Sequence, residues 1–187
     1  MWKGKKYSGR PTMKNGLKFE ATTNLSDVLN SHSLFSVKDD FIYFENKKVG
    51  QVISQNKLYK WLENNDVEWK KLTNKQMFPD EAVINFMNNT LYLIEKKYQE
   101  TEGSVDEKLQ TFHFKIWFYE KVTKDLNINI DFAYLLSDWF FEKKYTQGWR
   151  EGTLKYQEIL DYLDLNNINV FRKEIPLDYL FPELKLL

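Results

Sequence analysis

No cysteine occurs anywhere in the chain, which excludes a disulfide framework, a thiolate nucleophile and a zinc site built on sulfur. Only two histidines are present, His32 and His113, so a histidine-rich metal site is excluded too. Seven glycines never fall into GxGxxG or GxxxxGK[ST], and no GxSxG is present, so a phosphate-cradling loop and a serine-hydrolase elbow are absent. No apolar run approaches the ~18 residues of a membrane span, and the start, Met1-Trp2-Lys3-Gly4, carries no apolar signal segment. These absences lead us to expect a soluble, cytoplasmic protein without membrane contact. What is present suits one good core: 187 residues, 42% hydrophobic and 17% aromatic, read as a single domain over 1–187. Net charge is zero, but the first 75 residues carry 14 Lys and Arg against 8 Asp and Glu, and the remainder 13 against 19. The basic half is suited to a phosphate backbone, while the neutral total suits a protein that grips one site.

The most informative stretch is FPDEAVINFMNNTLYLIEKKYQ, from Phe78 to Gln99. Residues 82–87 and 91–95 are short runs of β-branched, aromatic and aliphatic types on either side of Asn88-Asn89, which tolerates the positive φ of a tight turn. A two-residue turn there pairs Met87 with Thr90, Ala82 with Glu95 and Asp80 with Lys97. Side chains alternate along a strand, so Asp80, Glu95 and Lys97 share one face and Lys96 points to the other. Two carboxylates a few Å apart repel unless a cation sits between them. Their hard oxygens suit Mg²⁺, with Mn²⁺ able to take its place. Such a metal polarises a phosphodiester and lowers the pKa of a bound water, while a neighbouring lysine orients that water or stabilises developing charge. The plain alternative is an exposed cross-strand ion pair in which Asp80 merely marks the start of a strand.

Pro79-Asp80 followed, across a hairpin, by Glu95-Lys96-Lys97 resembles the signature of the PD-(D/E)xK nuclease superfamily, to which most type II restriction endonucleases and many resolvases and repair nucleases belong. Gln99 and the segment Gly103-Ser104-Val105-Asp106-Glu107-Lys108-Leu109 also resemble a pattern of some restriction-enzyme-like and phage members. The resemblance implies an α/β fold, a mixed central β-sheet flanked by helices with a restriction endonuclease-like core. It further implies that Asp80 and Glu95 hold the metal with the Lys96 carbonyl, that Lys97 positions the attacking water, and that Glu20, on the first helix, and Gln99 support them. Glu20 also reads simply as a first-turn charge favoured by the helix dipole.

Elsewhere, residues 1–15 form a basic arm punctuated by Gly and Pro, suited to lying along phosphates or to being solvated. Leu17, Ala21, Leu25, Val28 and Leu29 fall at helical spacing, and Phe41–Phe44 reads as a strand followed by a turn at Asn46-Lys47-Lys48. The stretch 46–76, with a helix around Leu58–Leu62, interrupts the resembled core and reads as a candidate DNA-recognition insertion. Its Gln51, Gln55, Asn56, Lys57 and Lys60 are types that reach base edges, and equally ordinary surface residues. Ser104 to Glu107 spells a capping box, opening a helix that the stripe Val105, Leu109, Phe112, Ile116, Tyr119, Val122 carries to about Lys124. An apolar strand over 132–136, a helix over 154–163 closed by Asn166-Asn167, and an edge strand over 170–175 complete the expectation.

The function expected is Mg²⁺-dependent cleavage of double-stranded DNA, as a sequence-specific type II restriction endonuclease. Cutting both strands calls for two active centres, hence a homodimer on a palindromic target. A repair, resolving or phage-encoded nuclease of the same fold, or a non-catalytic DNA-binding or interaction module, remain the alternatives.

Overall fold

The computed structural model describes residues 15, 16, 18, 19, 22–101 and 103–184, so the arm up to residue 14 lies outside it. Seven strands form one mixed sheet in sequence order: β1 (Phe35–Lys38), β2 (Phe41–Phe44), β3 (Lys47–Val52), β4 (Glu81–Asn85), β5 (Thr90–Lys97), β6 (Asn129–Leu136) and β7 (Asn169–Arg172). β1 to β5 are an antiparallel meander, and β5, β6 and β7 are parallel. The chain is thus α/β, with helices on both faces of a mixed sheet. Helices α1 (Leu25–Ser31), α2 (Lys57–Asn64) and α3 (Trp69–Leu72) precede β4. Between β5 and β6 come α4 (Val105–Leu109) and α5 (Phe112–Thr123), and the later helices are α6 (Trp139–Glu142), α7 (Gln157–Leu165) and α8 (Leu177–Leu180).

Alternation on the central strands divides the core in two. Leu91 and Leu93 of β5 and Phe132, Tyr134 and Leu136 of β6 face a cluster closed by α2, α5 and α7. Tyr92, Ile94, Ala133 and Leu135 face the opposite cluster, closed by α1 and the segment around α8. Both faces of β5 and β6 are buried, as parallel central strands require.

The strands that sequence reading passed over are joined by tight turns. Lys38 pairs with Phe41 across Asp39-Asp40, and Phe44 pairs with Lys47 across Glu45-Asn46. All four turn residues have positive φ, from 46° to 67°, the backbone of a primed two-residue turn, with no glycine to announce it. The turn expected at Asn46-Lys47-Lys48 therefore ends one residue in, and Lys47 begins β3. Within the stretch 46–76, β3 is the third strand of the sheet, while Leu58, Tyr59 and Leu62 of α2 and Trp69 of α3 are core residues. Gly50 of β3 is needed where it lies, because a Cβ there would stand 2.7 Å from the Ile84 carbonyl oxygen.

The helix expected from Asn15 through Leu29 breaks at Thr23-Asn24, and Asn24 caps α1 by accepting from the Asp27 N–H. The single helix expected from Ser104 to about Lys124 is two helices. Tyr134 Oη donates to the Leu109 carbonyl at 3.1 Å, and Thr111 Oγ1 donates to the Lys108 carbonyl at 2.7 Å, taking up groups a continuous helix would use itself. Ser104 stands at the N-cap position, but its φ of −96° and ψ of 26° are not the extended backbone of a capping box, and its side chain makes no cap bond. β7 stops at Arg172 rather than 175 because Lys173 turns to a φ of 73°.

Candidate functional site

β4 and β5 deliver the conspicuous residues. Their register is Asn85 to Thr90, Ala82 to Leu93 and Glu81 to Ile94, two residues away from the pairing expected of a turn at Asn88-Asn89 alone. The turn is longer, 86–89, because asparagine side chains build it: Asn85 Oδ1 accepts from the Met87 N–H at 2.8 Å and Asn88 Oδ1 from the Thr90 N–H at 3.0 Å. A slip of two preserves parity, so the facing of every residue is as expected. Continuing the register sets Asp80, not Ala82, across from Glu95, and removes the direct opposition of Asp80 and Lys97.

Asp80, Glu95 and Lys97 converge. Lys97 Nζ lies 2.8 Å from Glu95 Oε2, 3.2 Å from Asp80 Oδ2 and 3.0 Å from the Lys96 carbonyl. Asp80 Oδ2 also accepts the Lys96 N–H at 2.8 Å, which fastens the carboxylate to the edge of β5. Glu95 is buried at 4% exposure, whereas the Asp80 side chain keeps 35%, so the cluster spans the boundary between core and water. Burial alone would lower the pKa of Lys97, but the charges of Glu95 and Asp80 outweigh it and hold the ammonium above its ordinary range. A lysine so held stays charged at neutral pH. Such a group offers electrostatics and hydrogen bonding rather than a base.

Two more residues complete the cluster: Lys115, which sequence reading passed over, and Tyr119, which it placed only on the apolar stripe of the helix. Lys115 Nζ of α5 lies 2.5 Å from Glu95 Oε2, giving the buried carboxylate two cations. Its signal was there: Lys115 stands four residues before Tyr119 and one before Ile116, beside the stripe that faces the sheet. Tyr119 is buried with a hydroxyl that has no hydrogen-bond partner among the described residues, and burial first, then the charges of Glu95 and Asp80, drive its pKa far up.

Lys96 points to the opposite face, as alternation requires. Its Nζ lies 2.7 Å from Glu81 Oε1 and 2.7 Å from the Thr23 carbonyl, and Glu81 Oε2 accepts from Ser54 Oγ at 2.8 Å. Gln99 is drawn elsewhere. Its Nε2 donates to the Thr101 carbonyl and to Tyr156 Oη, its backbone exchanges bonds with Ser137 Oγ, and its buried Oε1 has no partner among the described residues, so no hydrogen bond joins it to Asp80, Glu95 or Lys97. It borders a cleft of about 660 Å³ beyond the carboxyl ends of the parallel strands, which Ser137, Asp138 and Lys173 also line. Glu20 lies outside the described residues.

Asp80 Oδ2, Glu95 Oε2 and the Lys96 carbonyl all lie within 3.2 Å of the Lys97 ammonium, and they are hard oxygens of the kind a divalent cation takes. Among the described residues no group of three or more His, Cys, Asp or Glu side chains is placed to hold a metal, so the set is two carboxylates and a backbone carbonyl. Among the described residues, too, no helix is long and apolar enough to cross a membrane. No protein-family model, curated protein or solved structure matches the chain.

Proposed function

We propose that the chain is a Mg²⁺-dependent endonuclease of the PD-(D/E)xK type acting on double-stranded DNA. The observation that carries this reading is the convergence of Asp80, Glu95, Lys97 and the Lys96 carbonyl at one edge of β4 and β5. The surrounding order supports it: a helix, the antiparallel β3, β4 and β5, a helical crossover, and β6 parallel to β5. Asp80, Glu95 and the Lys96 carbonyl would hold the metal. When bound, it supplies charge neutralisation at the scissile phosphate and a water of lowered pKa. Lys97, kept charged, orients that water and meets the charge that develops on the phosphoryl oxygens. Lys115 holds Glu95 in place through its ion pair, and Glu20 is assigned a supporting role, whereas Gln99, bonded to Thr101 and Tyr156, is not.

The finer reading is a homodimeric type II restriction enzyme. Incubation of the purified protein with phage-sized duplex DNA tests both levels: discrete bands that need Mg²⁺ and vanish in Lys97→Ala support restriction, while a Mg²⁺-dependent smear keeps the nuclease and points to a repair or resolving role. One observation favours a second reading. Asp80 and Glu95 are balanced by Lys97 and Lys115 without any metal. A non-catalytic DNA-binding or interaction module would have such a cluster as an ion-pair network, and would bind without cleaving and without responding to EDTA.

A further inference from the structure

Away from the carboxylates, α3 with the loop that follows it and the outer face of α5 enclose a groove of about 470 Å³. Lys70, Lys71 and Lys75 stand on one wall and Phe114, Trp117 and Lys121 on the other, and no carboxylate among the described residues lines it. Lys70 and Lys71 have surface ion pairs with Glu63 and Glu68, but Lys75 and Lys121 have no carboxylate partner among the described residues. Instead each lies over a ring, Lys75 Nζ 4.9 Å from the centre of Phe114 and Lys121 Nζ 5.2 Å from that of Trp117. The two rings are 5.5 Å apart, inclined by 31°, and close to half of each residue is exposed.

Half-exposed rings, each next to an ammonium with no counter-ion among the described residues, complement a ligand with flat faces and negative charges along one chain. A single-stranded nucleic acid is such a ligand, since its bases stack on aromatic side chains while its phosphates follow the cations. Duplex DNA offers the charges but keeps its base faces stacked away. An acidic peptide offers the charges without the rings. Both walls of the groove are continuous in sequence with residues of the candidate active site. The loop after Lys75 runs directly into Asp80, and α5 carries Lys115, which reaches Glu95.

We propose that this groove binds unpaired nucleotides of DNA, so that the substrate is duplex DNA carrying a single-stranded segment such as a flap, bubble or overhang. The substrate half of this statement rests on the nuclease reading; the binding half does not. The test is therefore run in EDTA, titrating the full chain against fluorescein-labelled oligo(dT) and blunt duplex, with cleavage of flapped and blunt duplexes in Mg²⁺ measured separately. Trp117→Ala is expected to weaken oligo(dT) binding about 5- to 160-fold, the effect of losing one stacked base. The double variant Lys75→Gln, Lys121→Gln changes only surface side chains, and should lower the slope of log affinity against log salt by about 1.4, at ~0.7 per phosphate contact. Trp149→Ala, at an exposed tryptophan remote in sequence from both walls, should leave binding unchanged. The proposal is overturned if Trp117→Ala binds oligo(dT) like the parent, if Trp149→Ala loses as much, or if polyglutamate competes as well as oligo(dT). Trp117-dependent binding in a protein that cuts nothing would sink the nuclease and keep the groove. Cleavage of blunt and flapped duplex at equal rates, unaffected by Trp117→Ala, would do the reverse.

Discussion

Lys96 and Lys97 are neighbours on one strand and meet opposite environments. The Lys96 side chain, 3% exposed, is enclosed with Glu81, a Thr23 carbonyl and the start of α1. Lys97, 17% exposed, stands on the other face, with the buried Glu95 on one side and the half-open Asp80 on the other. Each lysine has carboxylate company, yet only one has water within reach. The Lys96 pair is sealed, and its geometry ties α1 to β4 and β5; nothing can exchange with it while the fold persists. The Lys97 cluster holds the same kinds of group where a ligand can compete for them. Identical chemistry thus serves as a fastening on one face and as a candidate reaction centre on the other, and strand parity decides which.

That contrast can be broken by substitution, and the largest effect is expected on the sealed face. Lys96→Met leaves Glu81 buried without its cation, and should cost about 3–5 kcal/mol in chemical denaturation, whereas the double change Lys96→Met, Glu81→Leu should recover most of the loss. Equal stability of Lys96→Met and the parent would mean that the pair is not enclosed. On the open face the unpartnered Tyr119 hydroxyl offers a gain. Tyr119→Phe removes a buried polar group that satisfies nothing and is expected to raise stability by roughly 1 kcal/mol; a drop of that size would reveal a partner for the hydroxyl.

Lys97→Met should cost less than Lys96→Met, about 1–2 kcal/mol, because Lys115 still neutralises Glu95 and the Lys96 N–H still holds Asp80. A loss as large as that of Lys96→Met would erase the distinction between the faces. Smallest of all is the pH effect. The folded pKa of Lys97 is raised, so whatever stability it contributes is fully present below the unfolded lysine value of about 10.4, and is lost only as pH climbs through the higher folded value. The stability difference between parent and Lys97→Met should therefore be flat from about pH 6 to about pH 9 and shrink only beyond, and a slope near neutrality would show that Lys97 is not held charged.

The facing of Asp80, Glu95, Lys96 and Lys97 was legible from alternation, and it survived a register displaced by two residues because two is the period of a strand. The displacement itself was not legible: Asn88-Asn89 announces a turn, but Asn85, four residues before the end of it, lengthens it through a side-chain bond. β1 and β3 were hidden by turns of Asp and Glu-Asn type, which reach positive φ without the glycine that usually signals it. Lys115 and the Glu81–Lys96 pair depend on which helix covers which face. That is fixed by contacts between residues about 15 to 73 positions apart, beyond any local pattern. The strand of 132–136 and the end of the helix at Asn166-Asn167 were plain for the opposite reason, since composition and terminators lie side by side in the sequence. The expected start of that helix at 154 was wrong: Leu154 bridges Lys144 and the helix begins at Gln157.

The most direct measurement is cleavage of duplex DNA by the parent and by Lys97→Ala, each in Mg²⁺ and in EDTA. The nuclease reading requires cutting by the parent in Mg²⁺ alone and a loss of at least about 100-fold in the variant, the scale of removing one preorganised group that stabilises developing charge. No cutting by the parent with any divalent metal on duplex or flapped DNA, or undiminished cutting by Lys97→Ala, would contradict it and leave Asp80, Glu95, Lys97 and Lys115 as an ion-pair network.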